Sequence, residues 1–325
     1  MNKRRFRMGM ALCLGAFTLA IALPAAAQEP KPLVKIVVPF NPGGGSDLFA
    51  RLLAPGLSEA LKVSVIVENR AGAGGVIGTD YVAKSKPDGD TLLLSDASAY
   101  AINPHLYPNL PYKASQLQPV ADIARFANLL VVPANTPYAS LADITRAAKQ
   151  EPGRLSIASS GNGSSTHLTA VMMQRLGQFS LTHVPYKGSG PAFTDLISGQ
   201  VNMMFSGLPA VSEYLKGQRL KAVAIASARR SPFAPEVPTM AEAGLPGFES
   251  FISQGLFAPA GTPPETVARI NTAVNQVLCS PEMATRLAQV KAEFQPNSAA
   301  EYQKWLNAQS DTWARLIREA AIRID

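Results

Sequence analysis

The chain has 325 residues, 47% of them hydrophobic, and a formal charge of +7. Four of its basic residues, Lys3, Arg4, Arg5 and Arg7, precede one apolar run, and no later stretch clusters Lys and Arg, so the positive balance does not describe a nucleic-acid surface. Two cysteines, Cys13 and Cys279, cannot build a thiolate metal site, and the scattered His105, His167 and His183 do not suggest a histidine one.

Residues 1–27 have the three parts of a secretory signal peptide: a basic start, an apolar stretch from Met8 to Leu23, and small residues at Ala25-Ala26-Ala27. The stretch is shorter than the roughly 20 apolar residues that span a bilayer, which argues against an uncleaved anchor. Cleavage near Ala27 would leave an exported chain with a charge of about +3, Cys279 as its one cysteine, and enough residues for two cores.

Beyond residue 27 the sequence alternates short Val/Ile/Leu-rich runs with helical segments. Strands are expected at Lys35–Pro39, Val63–Glu68, Thr91–Ser95, Leu129–Pro133, Leu155–Ser159, Leu181–Pro185, Val201–Phe205, Lys221–Ala226 and Gly255–Pro259. Between them, Ser140 opens a helix as N-cap, Pro191 falls in the first turn of another, and Thr239…Glu242 and Thr262…Glu265 have capping-box spacing. The last 60 or so residues read as helical, with Val267, Ile270, Val274, Val277 and Leu278 on one face. This is an α/β pattern of doubly wound, mainly parallel sheets flanked by helices, and it divides more naturally into two lobes than one broad sheet. Ligands of such sheets bind at the carboxyl ends of the strands, which directs attention to the glycine-bearing turns.

The first turn, Asn41-Pro42-Gly43-Gly44-Gly45-Ser46-Asp47 after Phe40, places several amides at a helix start, with Asp47 able to cap that helix or pair with Arg51. No Gly-Lys-Ser/Thr follows, which excludes a P-loop. Gly72, Gly74 and Gly78 miss the dinucleotide spacing by one residue. A further candidate is Ser95-Asp96-Ala97-Ser98. In "SIASSGNGSSTHL", Ser159, Ser160, Ser164, Ser165 and Thr166 set neutral hydroxyls beside free amides around Gly161, donors that suit a carboxylate without a buried ion pair. Tyr186-Lys187-Gly188-Ser189-Gly190 and Ser206-Gly207 add two more strand-to-helix turns, where Lys187 could counter a ligand's charge.

Taken together, "VPFNPGGGSD", "VENRAGAGGVIGTDYVAKSKPDGDTLLL", "INPHLYPNLPY", "SSGNGSSTHL", "HVPYKGSGPA", "APEVPTMAEAGLPGFE" and "GLFAPAGTP" resemble the extracytoplasmic substrate-binding proteins of the tripartite tricarboxylate transporter (Bug/TctC) family, over nearly all of the chain beyond residue 27. The resemblance implies a periplasmic location and a type II periplasmic-binding-protein, or Venus flytrap, fold. Residues 28–127 plus 250–325 would form lobe one and 128–249 lobe two, with hinge crossings near 127–129 and 250–255. It implies a monomer that captures a small organic carboxylate and passes it to integral membrane transporter subunits, with no cofactor. Carried onto this chain, Phe40, Asn41, Pro42 and Gly43 to Gly45 would wall one side, and Gly161, Ser164, Ser165, Thr166, Tyr186, Gly188 and Ser206 would face them. Ser46, Asp47, Ser95, Ala97 and Ser159 complete the candidate site. Phe251-Ile252-Ser253-Gln254 stands where the family often has an aromatic pair, and Ser206 where some members have an Asp, a departure that leans against an amino-acid ligand. Two other readings stay open: the ligand-binding subunit of a sensor, and an exported hydrolase using Ser164 and His167.

Overall fold

The computed structural model describes residues 32–292 and 294–319; the signal-peptide expectation lies outside them. Strand β1 (Leu33–Val38) runs through the glycine turn into helix α1 (Gly45–Leu61), and the chain returns in β2 (Ser64–Asn69), parallel to β1. After α2 (Val76–Ala83), β3 (Thr91–Asp96) joins the other side of β1, again parallel. Two one-turn helices, α3 (Ser98–Ala101) and α4 (Asn103–Leu106), lead to the long β4 (Leu117–Pro133). Then come α5 (Leu141–Gln150), β5 (Ser156–Ser159), α6 (Ser165–Gly177), β6 (Thr182–Pro185), α7 (Ser189–Ile197), β7 (Met203–Gly207), α8 (Leu208–Lys216) and β8 (Leu220–Ile225). The chain finishes with β9 (Phe251–Pro259), α9 (Pro264–Leu278), α10 (Pro281–Gln289) and α11 (Ala299–Glu319).

The strand order is β2-β1-β3-β9-β4-β7-β5-β6, with β8 paired to β4. Parallel pairing holds in each outer part, β2-β1-β3 and β7-β5-β6, while β4 and β9 pair antiparallel with each other and with their other neighbours. Both faces of each part are covered, which is why the strands read as unbroken apolar runs. In β1, Ile36 and Val38 join α1 and α9 in one core, whereas Val37 joins α2 and α11 in another. In β4, Leu130 and Val132 meet α5 and α6, whereas Leu129 and Val131 meet α7 and α8. The expected apolar face Val267, Ile270, Val274, Val277 and Leu278 of α9 is buried. Far along α11, Trp313 and Ile317 share a core with Leu168 of α6, so this helix touches both parts of the molecule.

Two strands are longer than the sequence suggested. The apolar runs beginning at Leu129 and Gly255 are the ends of β4 and β9, which form a continuous ladder from Leu117 opposite Pro259 to Ala127 opposite Phe251. Pro119, Asp122, Arg125 and Asn128 interrupt β4 as a hydrophobic pattern ahead of Leu129. Their polarity is absorbed in the structure. Ser253 Oγ donates to Asp122 Oδ1 at 2.8 Å, Asn128 Nδ2 donates to Ser250 Oγ at 2.9 Å, and the register shifts twice between Pro119 and Ala124. The segments expected as hinge crossings are therefore paired strand. Of the caps, Ser140 forms a capping box with Asp143, and Thr239 with Glu242 makes the same reciprocal bonds over a single turn. Thr262 does not cap α9: its hydroxyl donates to Pro259 O, and Pro263 takes the cap position.

Candidate functional site

Four helices start at the rim of one small, partly open cavity of about 30 Å³ between the two parts of the sheet. The first is α1. Its N-cap, Gly44, brings no side chain to the helix end, and the amides of Gly45, Ser46 and Asp47 have no intrahelical acceptor. Gly43, at φ 91°, turns its own N–H onto Asp47 Oδ2 at 3.1 Å. Asp47 also accepts from Arg51 Nε and Asn69 Nδ2, each at 3.0 Å. Burial disfavours its charged form, but the bonds from Arg51, Gly43 and Asn69 prevail and hold the carboxyl below the usual range. Ser46 Oγ donates to Gln254 Oε1 on β9 at 2.7 Å.

The facing wall is the α6 start. Ser164 is its N-cap, accepting from His167 N at 3.3 Å while donating to Gly161 O at 2.7 Å. Thr166 Oγ1 is a hub: the Ser160 amide donates to it at 3.1 Å, and the hydroxyls of Ser160 and Ser164 lie at 3.1 and 3.0 Å. Helix α7 begins after Gly188 and contributes Ser189, and α8 begins after Gly207 and contributes Ala210. The positive ends of these helix dipoles, together with Ser46, Ser160, Ser165, Thr166, Ser189 and Ser206, surround the space with donors. Among the described residues, no lysine, arginine or histidine lines it. Ser46, Asp47, Asp96, Ser165, Thr166 and Ser206 are at most 5% exposed, so water is mostly excluded there. The helix ends and hydroxyls favour an anion, while two carboxylates, Asp47 and Asp96, line the same space.

The structure gathers only some of the sequence candidates around the cavity. Phe40, Gly44, Gly45, Ser46, Asp47, Ser165, Thr166 and Ser206 line it. Asn41, Pro42, Gly43 and Gly188 lie at the lip instead, where the two walls meet backbone to backbone: Asn41 N donates to Lys187 O at 2.8 Å, and a Cβ on Gly190 would sit 2.0 Å from Pro42 O. Gly161 lies in a second such contact, near Gly74, where Tyr107 Oη donates to Asn162 O at 2.6 Å. Ser164 is committed to capping. Ser95 is buried within β3, opposite Gly255, and Ala97 N donates to Ser253 O at 3.0 Å. Ser159 Oγ pairs with His183 Nε2 at 2.7 Å, and Tyr186 Oη donates to Asp195 Oδ2 at 2.7 Å, away from the cavity. Lys187 is exposed and does not line it.

Several lining residues belong to turns or strands that the sequence marks, without being named there as individual site residues. Asp96 sits between the two candidates Ser95 and Ala97 and enters the cavity where they do not. Ser160, Ser189 and Gly207 lie in turns that the glycine pattern already marked. Phe126, Ile252 and Gln254 come from the crossing strands β4 and β9, which offered no turn signal.

Ser164 and His167 do not form a nucleophile and base. His167 Nδ1 accepts from Gly163 N at 3.2 Å, and its ring stacks on His183 with centroids 4.1 Å apart. Burial and the neighbouring His183 pull the His167 pKa down to about 3, and burial pulls His183 to about 4. A base poised near neutrality is not present in this pair.

The mixed sheets, the strands crossing between two lobes and the amide-lined cleft define the protein as one of the periplasmic-binding-protein class. Within that class the chain belongs to the family described as tripartite tricarboxylate transporter family receptor, which matches residues 49–322. It is 37% identical over 310 residues to the protein BugT of Bordetella pertussis, covering 94% of this chain and 95% of that one. Among solved structures it is similar to Rpa4515 of R. palustris with adipate (36% identity, TM-score 0.85, 90% of this chain and 98% of that one). It is also similar to MatC from Rhodopseudomonas palustris with bound malate (32% identity, TM-score 0.84, 88% and 98%). Its relatives in this family are solute-binding receptors. No helix among the described residues is long and apolar enough to cross a membrane.

Proposed function

We propose that this protein is exported to the periplasm with residues 1–27 removed, captures a small organic carboxylate between its lobes as a monomer, and hands it to the integral membrane subunits of a tripartite tricarboxylate-type transporter. Lobe one is assigned residues 28–127 and 250–325, and lobe two residues 128–249. The reading is carried by one observation: four helix N-termini and a set of hydroxyls converge on one cavity that no cationic side chain lines among the described residues. The adipate and malate of two relatives supply the ligand class. The cleft groups that touch the acid are the amides of Gly45 to Asp47 on one side and Ser165, Thr166 and Ser206 on the other. Contacts to both walls bias the lobes toward the closed arrangement, which is the form presented to the transporter. A thermal-shift screen of organic acids tests this. At about 100 times Kd the right acid adds about 2.7 kcal/mol, several degrees of Tm. Shifts with sugars or metal ions and with no carboxylate would sink the reading.

A further inference from the structure

Asp96 ends β3 inside the cavity, 5% exposed. Its Oδ1 accepts from the Ser98 amide at 3.2 Å and from the Ser98 hydroxyl, and its Oδ2 accepts from Ser165 Oγ of the opposite wall at 2.7 Å. None of the salt bridges among the described residues involves it. The side chains packed around it bring no positive charge to the cavity. From α1 comes Asp47, itself an anion, with Arg51 engaged on it. From β4 comes Asp122, engaged by Arg125 and Ser253. From α11 and the loop before β4 come Tyr302 and Tyr112, whose phenols burial pushes up. From β9 come only Ser253 and Gln254, and from α6 the Ser165 hydroxyl and His167, whose imidazole burial holds neutral near pH 7.

An anionic ligand enclosed beside an ionised Asp96 would place like charges together in a space that excludes water, which neither would tolerate without a cation. We propose that the cleft takes its carboxylate together with one proton, drawn from solvent onto Asp96 as the lobes close, so that the Asp96 acid becomes a hydrogen-bond donor to the ligand. With Oδ2 protonated, the bond from Ser165 is released, and the acid's O–H faces the ligand where an acceptor stood. Burial pushes the Asp96 carboxyl up in the closed cleft, with the bonds from Ser98 and Ser165 opposing it in part. This rests on the carboxylate-receptor reading above and names how that site balances charge.

The sign follows from linkage. In open lobes the Asp96 carboxyl, in water, has an ordinary pKa of about 4. In the closed, ligand-bound state it is raised. Binding is therefore tightest below the open-state value and weakens about tenfold per pH unit as pH rises toward the closed-state value, with about one proton taken up per ligand across that window. Titration calorimetry with adipate and malate from pH 5 to 8, in buffers of differing ionisation enthalpy, reads both quantities on the unaltered protein. The expected result is proton uptake and that slope over the part of the range that lies below the closed-state value. Asp96→Asn, whose amide donates permanently, is expected to take up no proton, to bind at a level independent of pH, and to exceed the wild type at pH 8. Adipate or malate binding to the wild type without proton uptake and without a slope overturns the proposal. So does tight binding only of ammonium-bearing acids that Asp96→Asn abolishes, which would make Asp96 a counter-ion. If no carboxylate binds the wild type at any pH, the receptor reading falls and this one with it, an outcome distinct from binding without a proton.

Discussion

The two walls of the cleft reach the same end by different means. The α1 wall is backbone: Gly44 caps the helix with no side chain, Gly45 to Asp47 keep free amides, and Asp47 is spent on Gly43, Asn69 and Arg51. The α6 wall is side chain: Ser164 caps the helix, and Ser160, Thr166 and Ser165 form a hydroxyl network that reaches across to Asp96. A wall of amides cannot be edited by trimming side chains, only by adding atoms where glycine allows close approach. A wall of hydroxyls can be edited one group at a time. Substitutions on the two sides should therefore fail differently.

The largest effect is expected from adding one methyl group at the lip. Gly190 lies in the first turn of α7, and its Cβ would fall 2.0 Å from Pro42 O across the cleft. Gly190 precedes Pro191 in that first turn, where the interior preference for alanine does not apply, so Gly190→Ala should fold with a Tm within a few degrees of the wild type. It should nevertheless fail to close. Ligand affinity is expected to fall at least about 100-fold if closure supplies that share of the binding energy, and X-ray scattering should register no compaction when ligand is added. Wild-type affinity in this variant would remove the lip contact from the bound state.

On the other wall, Thr166→Val keeps the shape and deletes the hub hydroxyl. The Ser160 amide, in a residue 6% exposed, loses the acceptor it has at 3.1 Å. An orphaned buried donor costs about 1–3 kcal/mol, so Tm should drop by several degrees and affinity by about tenfold. A variant that bound normally while losing stability would make the network purely structural.

The turns were legible because glycine, serine and a following helical pattern leave little else for the chain to do there. Gly44 to Asp47 and Ser165-Thr166 could be assigned to helix starts from sequence, and both line the cavity. What sequence could not separate was a hydroxyl that faces the cavity from one consumed locally. Ser164 and Thr166 are two residues apart on the same turn, yet one caps a helix and the other lines the cleft. Asp96 lies in a turn the sequence marks, but alternation along β3 cannot say which of its residues faces the second lobe. Phe126 gives no signal in the sequence, and Gln254 marks only a departure from the family's aromatic pair, for a different reason. Their strands cross between lobes, and the polar residues that allow the crossing also break the apolar period on which strand recognition depends.

The smallest effect is expected at the guanidinium that pairs with Asp47 on the α1 wall. Arg51 lies four residues beyond Asp47 with its side chain 54% exposed, 2.9 Å from Asp47 Oδ1. Solvent screens such a pair, so Arg51→Gln should change stability by no more than about 0.5 kcal/mol. Asp47 keeps the Gly43 amide and Asn69 and stays in place. Because the cavity is lined by amides and hydroxyls and not by Arg51, ligand affinity should stay within about twofold of the wild type, against the roughly tenfold expected at Thr166 from an orphaned buried donor. A tenfold loss in Arg51→Gln would mean that the ligand's charge feels a cation after all. The α1 wall would then be an ion-pairing surface with Asp47 as its relay, and the contrast between bare amides on one side and hydroxyls on the other would no longer describe how the cleft holds an anion.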